Sequence, residues 1–271
     1  MNKVYAPLFN LKATLESGQF FLYYLINDFY YIINGKNIFK VKQENLFLIY
    51  DNIDAKDIIE FFSLNQDYQQ IYESFKNDVY LTKALKEYTG LRIINANLWQ
   101  TIISFICSSC SNIPKITKNL ELICQFFGNK ITYDNIVFYT FPDPCQINNI
   151  SLLELAKTGY RKDYIIKISD FYCKNPEQLS RLYSLDLKDL KEELKKFNGI
   201  GEKVASCIAL FALKHKEAFP VDTWIKQIFE TYYLENKTNN KDIEEYAKKI
   251  FKDNIGIKQQ YLFHYFRNNK L

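Results

Sequence analysis

The residues best placed to do chemistry fall between 186 and 233. Leu187, Leu190, Leu194 and Phe197 are spaced three, four and three apart, which draws one apolar stripe along a helix, with Asp186 before it as an N-cap. Asn198, Gly199, Ile200 and Gly201 follow. Two glycines two apart end that helix, turn the chain tightly and start another, expected from about Glu202 to Leu213. The start of the second helix leaves backbone N–H groups unpaired, and the glycines let a ligand approach them. That is an anion site suited to a DNA phosphate, although an ordinary helix cap has the same sequence. Lys203 lies in the first turn, where a cation opposes the helix dipole, so an amine kept there points to a role without naming it. Lys203, Cys207, Leu210 and Lys214 share one face, and Val204, Ala205, Ile208 and Ala212 form an apolar one. Asp222 is placed to cap a helix starting at Thr223, whose apolar positions are Trp224, Ile225, Ile228 and Phe229.

Other chemistries are excluded by what surrounds these residues. The run from Gly199 to Val204 lacks the third glycine of a dinucleotide fingerprint and follows no strand. No phosphate-loop sequence and no His-Glu-x-x-His motif occurs, and with His215 and His264 as the only histidines a histidine-based zinc site is not expected. Cys107 and Cys110 form a CxxC inside an apolar run without a second pair at metal spacing, and read as reduced, buried thiols. The net charge of +4 is too small to prove a polyanionic partner. Residues 188–216 do hold seven lysines against four acids, a local excess that a solvated helix face would explain equally well.

The elements that must position these groups are legible in outline. Residues 8–50 read as antiparallel strands. Phe29–Ile33 and Asn37–Val41 flank Asn34 and Gly35, a hairpin signal because both residues accept positive φ, and Leu46–Tyr50 is a further strand. From about residue 54 the pattern is helical to the end, with connections at Leu85–Gly90, Pro142–Pro144 and Glu235–Asn240. The expected fold is α+β: a small N-terminal antiparallel β-sheet domain with flanking helices over 1–85, then a larger all-helical domain over 86–271 containing a helix-hairpin-helix at 186–214. The hydrophobic content of 48% supports a sizeable core, and the 22 Phe and 21 Tyr are read mainly as its packing. No apolar run is long enough to span a membrane, so no membrane association is expected.

Residues 198–205, followed by Pro220, Val221 and Asp222, resemble the helix-hairpin-helix superfamily of DNA glycosylases that carries a Gly/Pro-rich loop and an aspartate. A lysine at 203 is similar to its bifunctional members. Ser17–Phe20, Ser104–Ser109, Gly159–Arg161, Cys207 and Gly256–Phe263 narrow the resemblance to the 8-oxoguanine DNA glycosylase family, in order over about residues 8–265. The cysteine-rich iron–sulfur tail of a sister branch is absent.

The resemblance implies an enzyme of base excision repair acting on double-stranded DNA that contains a damaged purine. The damaged nucleotide is flipped into a pocket. Lys203 attacks C1′, displaces the base and forms a Schiff base, and β-elimination breaks the strand 3′ to the lesion. Asp222 stabilises the developing positive charge. The Gly18 carbonyl accepts from N7–H, which oxidised guanine has and guanine lacks. Gln259 pairs with the Watson–Crick edge, while Phe263 and Cys207 cover the two base faces. Gly199 and Gly201 hold backbone phosphate. Cys110, Lys115, Tyr160 and Arg161 face the opposite strand. Eukaryotic members place asparagine and arginine where this chain has Cys110 and Lys115, which puts strict reading of the opposite base in doubt. No cofactor is implied, a structural cation at the hairpin carbonyls being allowed but not required. A monomer inside the cell is expected, in cytoplasm or nucleoid if the source is bacterial or archaeal. The rivals are a same-fold glycosylase for another oxidised base, disfavoured by Gly18 and Gln259, and a non-catalytic helix-hairpin-helix DNA-binding protein, which leaves Lys203 with Asp222 unexplained.

Overall fold

A computed structural model describes residues 1–234 and 236–269. The chain opens with β1 (Asn2–Tyr5), the short helix α1 (Leu11–Leu15), and then β2 (Tyr23–Ile26), β3 (Phe29–Asn34), β4 (Asn37–Glu44) and β5 (Phe47–Asp51). The strands form one antiparallel sheet in the order β1-β5-β4-β3-β2. Ile32 faces Phe39 across β3 and β4, and Val41 faces Tyr50 across β4 and β5, all four buried, so one face of the sheet is core. Residues 8–50 are therefore not strands throughout. Asn10 caps α1 by accepting from Ala13 N–H at 2.9 Å, a local bond that favours a helix start over a strand.

The expected hairpin forms with a shifted turn. Asn34 pairs with Asn37, leaving Gly35 and Lys36 as the two turn residues, and of these only Gly35 has positive φ (62°). Asn34 stays in the strand because its side chain accepts from Asn97 N–H at 2.7 Å. Gln100 clamps the same tip, accepting from Gly35 N–H and donating to the Ile33 carbonyl. The sheet is thereby fastened to the helix that carries Ser104–Ser108.

The helical part runs α2 (Ala55–Phe61), α3 (Tyr68–Glu73), α4 (Val79–Tyr88), α5 (Leu98–Ser108) and α6 (Ile113–Phe127). It is interrupted by a second hairpin, β6 (Lys130–Tyr133) and β7 (Ile136–Tyr139), which the expectation of helix to the end of the chain misses. Its turn residues, Asp134 and Asn135, both have positive φ. Then follow α7 (Ile150–Leu155), α8 (Lys162–Lys174), α9 (Pro176–Arg181), α10 (Leu187–Lys195), α11 (Glu202–Ala212), α12 (Thr223–Tyr232), α13 (Asn240–Phe251) and α14 (Ile255–Asn269). The expected boundary between 85 and 86 falls on α4, which continues to Tyr88 and packs against α14, so of the expected connection at Leu85–Gly90 only Thr89 and Gly90 lie outside the helix. Of the connection at Glu235–Asn240, residue 235 lies outside the described residues and Asn240 already begins α13.

Cys145, in a 3-10 turn at Pro144–Gln146, forms a disulfide with Cys173 near the end of α8. Cys107 is buried as expected, whereas Cys110 is exposed because α5 has ended and the chain turns outward there with φ of 48°. No described helix is long and apolar enough to cross a membrane.

Candidate active site and DNA-facing surface

The helix-hairpin-helix is α10, the turn at 198–201, and α11. Asp186 caps α10 by accepting from Asp189 N–H at 2.9 Å, and Leu190 and Leu194 bury its stripe. Gly199 has φ of 89°, and a Cβ there would lie 2.6 Å from the Tyr164 ring, so both conformation and space require glycine. Gly201 differs: a Cβ there would meet nothing within 4 Å. It precedes α11, whose first turn has no side-chain cap, so backbone N–H groups open on an uncrowded surface. The local excess of lysines is largely neutralised. Lys191 pairs with Glu202, Lys195 with Glu192 and Glu202, Lys196 with Glu193, and Lys214 with Glu60. The anion site therefore rests on backbone dipoles more than on side-chain charge.

Helix α11 has no solvated face along its length. Every residue from Val204 to Ala212 is buried, and exposure is confined to Glu202 and Lys203 at one end and to Leu213 and Lys214 just beyond the other. Lys203 reaches across to the last turn of α5. Its Nζ donates to Ser108 Oγ at 3.1 Å and lies 5.3 Å from the centre of the Phe105 ring. Ser108 Oγ in turn donates to the Phe105 carbonyl at 2.7 Å. The amine thus stands between the positive start of α11 and the negative end of α5.

Asp222 caps α12, accepting from Ile225 N–H at 2.8 Å. Burial holds its carboxyl above the ordinary aspartate range, opposed by that hydrogen bond and by the Lys203 charge. Lys203 and Asp222 line one cleft without forming an ion pair within 4.0 Å. Burial pushes the Cys207 thiol up to about 11, with the Lys203 charge pulling the other way, so the sulfur stays protonated and apolar at neutral pH.

The cleft has a volume of about 810 Å³ and is also lined by Gly18, Gln259 and Phe263. Gly18 has φ of 83°, and no group among the described residues donates to its carbonyl. Gln259 is buried with its Oε1 lacking a partner, an unmet acceptor in the wall of the cleft. Lysine, carboxylate, thiol, glycine, amide and ring, scattered from 18 to 263 in sequence, meet in one cavity. With an amine, a half-buried carboxylate, an apolar ring and polar groups without partners, it can bind a flat polar heterocycle and attack a carbon joined to it.

The residues expected to face an opposite strand are less uniform. Cys110 is exposed on the cleft rim, Tyr160 is 53% exposed, and Lys115 is exposed with its backbone N–H capped by Asn112. Arg161 departs from expectation. It is 3% exposed and donates to the carbonyls of Thr158, Ser109 and Cys110. Three carbonyls left by the end of α5 and the turn before α8 draw the guanidinium inward, so here it braces the Ser109–Cys110 backbone rather than presenting a base-reading fork.

Three cleft residues escape the sequence reading. Phe105 and Ser108 lie inside the Ser104–Ser109 motif, but nothing in their types shows that they touch Lys203. Arg267 lines the cleft one helical turn beyond Phe263, a spacing that could have found it.

The N-terminal-domain model of 8-oxoguanine DNA glycosylase matches residues 3–102. A probable N-glycosylase/DNA lyase of Methanothermobacter thermautotrophicus is 28% identical over 232 residues, covering 78% of this chain and 74% of that one. Two solved structures are similar over nearly the whole fold. One is MBOgg1 in complex with a low-affinity DNA ligand, with a TM-score of 0.95, 34% identity, and coverage of 99% of this chain and 96% of that one. The other is the Clostridium acetobutylicum 8-oxoguanine glycosylase/lyase in complex with double-stranded DNA containing cytosine opposite 8-oxoguanine, with a TM-score of 0.92, 30% identity, and coverage of 97% and 93%.

Proposed function

The chain belongs to the 8-oxoguanine DNA glycosylase family, and from that premise we infer that it is a bifunctional DNA glycosylase and abasic-site lyase of base excision repair that acts on duplex DNA. The observation that carries the assignment of roles is the meeting of Lys203 and Asp222 with Gly18, Gln259, Cys207 and Phe263 in one cleft. The flipped 8-oxoguanine lies in it, between Phe263 and Cys207. The Gly18 carbonyl, without a partner among the described residues, accepts from N7–H, and the unmet Gln259 amide meets the Watson–Crick edge. Guanine would bring its N7 lone pair against the same carbonyl.

Lys203 Nζ forms a bond to C1′ as the C1′–N9 bond breaks, and the base leaves with the electron pair and takes up a proton. The sugar ring opens to the Schiff base. Loss of a C2′ proton then expels the 3′ phosphate, and water releases the lysine. Asp222 supplies negative charge where the sugar becomes cationic, and its hydrogen bond to Ile225 keeps it in place. Gly199 and Gly201 bring the start of α11 against a backbone phosphate. An ion at this turn would be held by backbone carbonyls alone, of which Phe197's already accepts from Ile200 N–H, and no step depends on it. The enzyme works as a monomer, since one chain supplies the whole cleft, and inside the cell where duplex DNA is kept.

The test is borohydride reduction during turnover on duplexes carrying 8-oxoguanine, an oxidised pyrimidine or no lesion. A covalent protein–DNA adduct on the 8-oxoguanine duplex is expected. Adduct with the pyrimidine lesion alone would move the substrate to another oxidised base. Binding without any adduct would leave a DNA-binding protein without this chemistry.

A further inference from the structure

We propose that Arg267 is a specificity-determining residue of the lesion pocket: its guanidinium backs the Phe263 ring and fixes the Gly18 loop, so recognition of the base depends on it and chemistry at the sugar does not. The proposal rests on the reading of the cleft as a pocket for a flipped oxidised purine. Phe263 and Arg267 stand four residues apart on α14 and therefore emerge on the same face. The guanidinium carbon lies 5.2 Å from the centre of the Phe263 ring, within cation–π range. Nη2 donates to the Glu16 carbonyl at 2.7 Å and approaches His264 Nδ1 at 3.2 Å. Burial, helped by the Arg267 charge, pushes His264 down to about 4, so its ring is neutral at physiological pH and can accept.

The other end of the fork touches the glycine. Nη1 is buried without a partner, and a Cβ on Gly18 would lie 2.7 Å from it. Only a residue without a side chain lets the guanidinium sit there. A second tie, from Gln260 Nε2 to the Ser17 carbonyl at 2.9 Å, fastens the same loop to α14. The residue whose carbonyl reads N7 and the ring that stacks on the base are thus held by one cation. A cation behind an aromatic ring draws π density away from its other face, and an electron-rich oxidised purine stacks better on a depleted face. Lysine has no planar fork to share between a ring and a carbonyl.

The experiment compares two reactions of the full chain under single turnover: release of 8-oxoguanine from a duplex, and strand cleavage at a preformed abasic site in the same duplex. Both use Lys203, but only the first involves the base. R267M is expected to slow base release about tenfold, the scale of one desolvated cation–π contact, and to leave abasic-site cleavage within about twofold. R267Q, which keeps a planar donor for the Glu16 carbonyl without the charge, is expected to fall between R267M and wild type in base release. It decides the matter alone if R267M fails to fold. Base release at the wild-type rate in the variants, or an equal fall in both reactions, would overturn the proposal. If the wild-type chain itself does not release 8-oxoguanine, the reading of the cleft fails instead, and that arm is scored separately.

Discussion

The cleft and the surface beside it that is proposed to meet the opposite strand are built differently. On the lesion side, each recognition element is held by another. Gly18 is packed under Arg267, Phe263 is backed by the same guanidinium, Lys203 is tied to Ser108, and Asp222 is fixed as the cap of α12. On the proposed opposite-strand surface, Cys110 and Tyr160 are exposed, Lys115 carries an exposed point charge, and Arg161 is turned inward onto backbone carbonyls. Preorganised groups discriminate because they lose little entropy on binding, whereas an exposed thiol and a flexible ammonium offer weak or adaptable contacts. The contrast predicts an enzyme strict about the lesion and lenient about its partner base.

The largest effect should come from removing the chemistry while leaving both surfaces. Lys203→Gln is expected to abolish base release and borohydride trapping, with affinity for lesion duplex nearly unchanged, as read by gel shift beside single-turnover assays. Retained excision would show that another nucleophile does the work. Asp222→Asn should slow base release by about 100- to 1000-fold, the range for one lost electrostatic stabiliser. Its effect on stability should stay within about 1 kcal/mol, because asparagine can still accept from Ile225 N–H. The sign supports this. Burial raises the Asp222 carboxyl above its unfolded value, so ionising it weakens the fold progressively as pH rises from the ordinary aspartate range through the raised value. A neutral asparagine escapes that penalty. For the same reason, wild-type base release should fall, as pH is lowered, at a value above that of an unperturbed aspartate. A thermal melt and a pH–rate profile check the two halves.

A smaller effect is expected one contact away. Ser108 gives its only proton to the Phe105 carbonyl, so its lone pairs are what face Lys203. Ser108→Ala should leave DNA binding intact and slow base release and abasic-site cleavage together, each about tenfold, since the amine loses the acceptor that orients it. Ser108→Thr, which keeps a hydroxyl, should restore most of the rate. Slowing of base release alone would mean that Ser108 acts on the base instead of on the amine.

Local patterns were legible where one short segment dictates the outcome. The stripe from Leu187 to Phe197, the glycine turn, and the caps at Asp186 and Asp222 all stand in the structure at the residues whose spacing and type announce them. The hairpin of β6 and β7 is equally local, announced by Asp134 and Asn135 between β-branched and aromatic residues, but the helical patterns that flank it mask the signal. What sequence could not show was partnership across the fold. Nothing near Ser108 indicates that an amine 95 residues away will find it, and nothing near Arg161 indicates that the carbonyls at the end of α5 will draw it inward. Arg267 is intermediate: its spacing from Phe263 is readable, but its contact with Gly18 depends on how α14 crosses the first loop. Tertiary hydrogen bonds decide these cases, and pattern carries little information about them.

The smallest effect, and the sharpest test of the contrast, concerns the base opposite the lesion. On the resemblance, Cys110 stands where eukaryotic members of the family place an asparagine, and a thiol is a weak donor that cannot match an amide against cytosine. Lys115 replaces a planar fork with a point charge. Arg161 would have been the remaining guanidinium, but its Nη1 and Nη2 already serve the carbonyls of Thr158, Ser109 and Cys110, and turning it outward would strip those acceptors. Each good base contact contributes about 1–3 kcal/mol of discrimination, so losing them should leave cytosine favoured by about tenfold or less. Excision from four duplexes differing only in the opposite base measures this directly. Cys110→Asn should sharpen the preference by a few-fold, and Cys110→Asn with Lys115→Arg should sharpen it further, without changing the rate opposite cytosine. The positive φ of 48° at Cys110 favours the exchange, because asparagine tolerates that backbone better than most residues. Strict dependence on cytosine in the wild-type chain would mean that Arg161 leaves its carbonyls when DNA binds, and that this surface becomes as ordered as the cleft only in the complex.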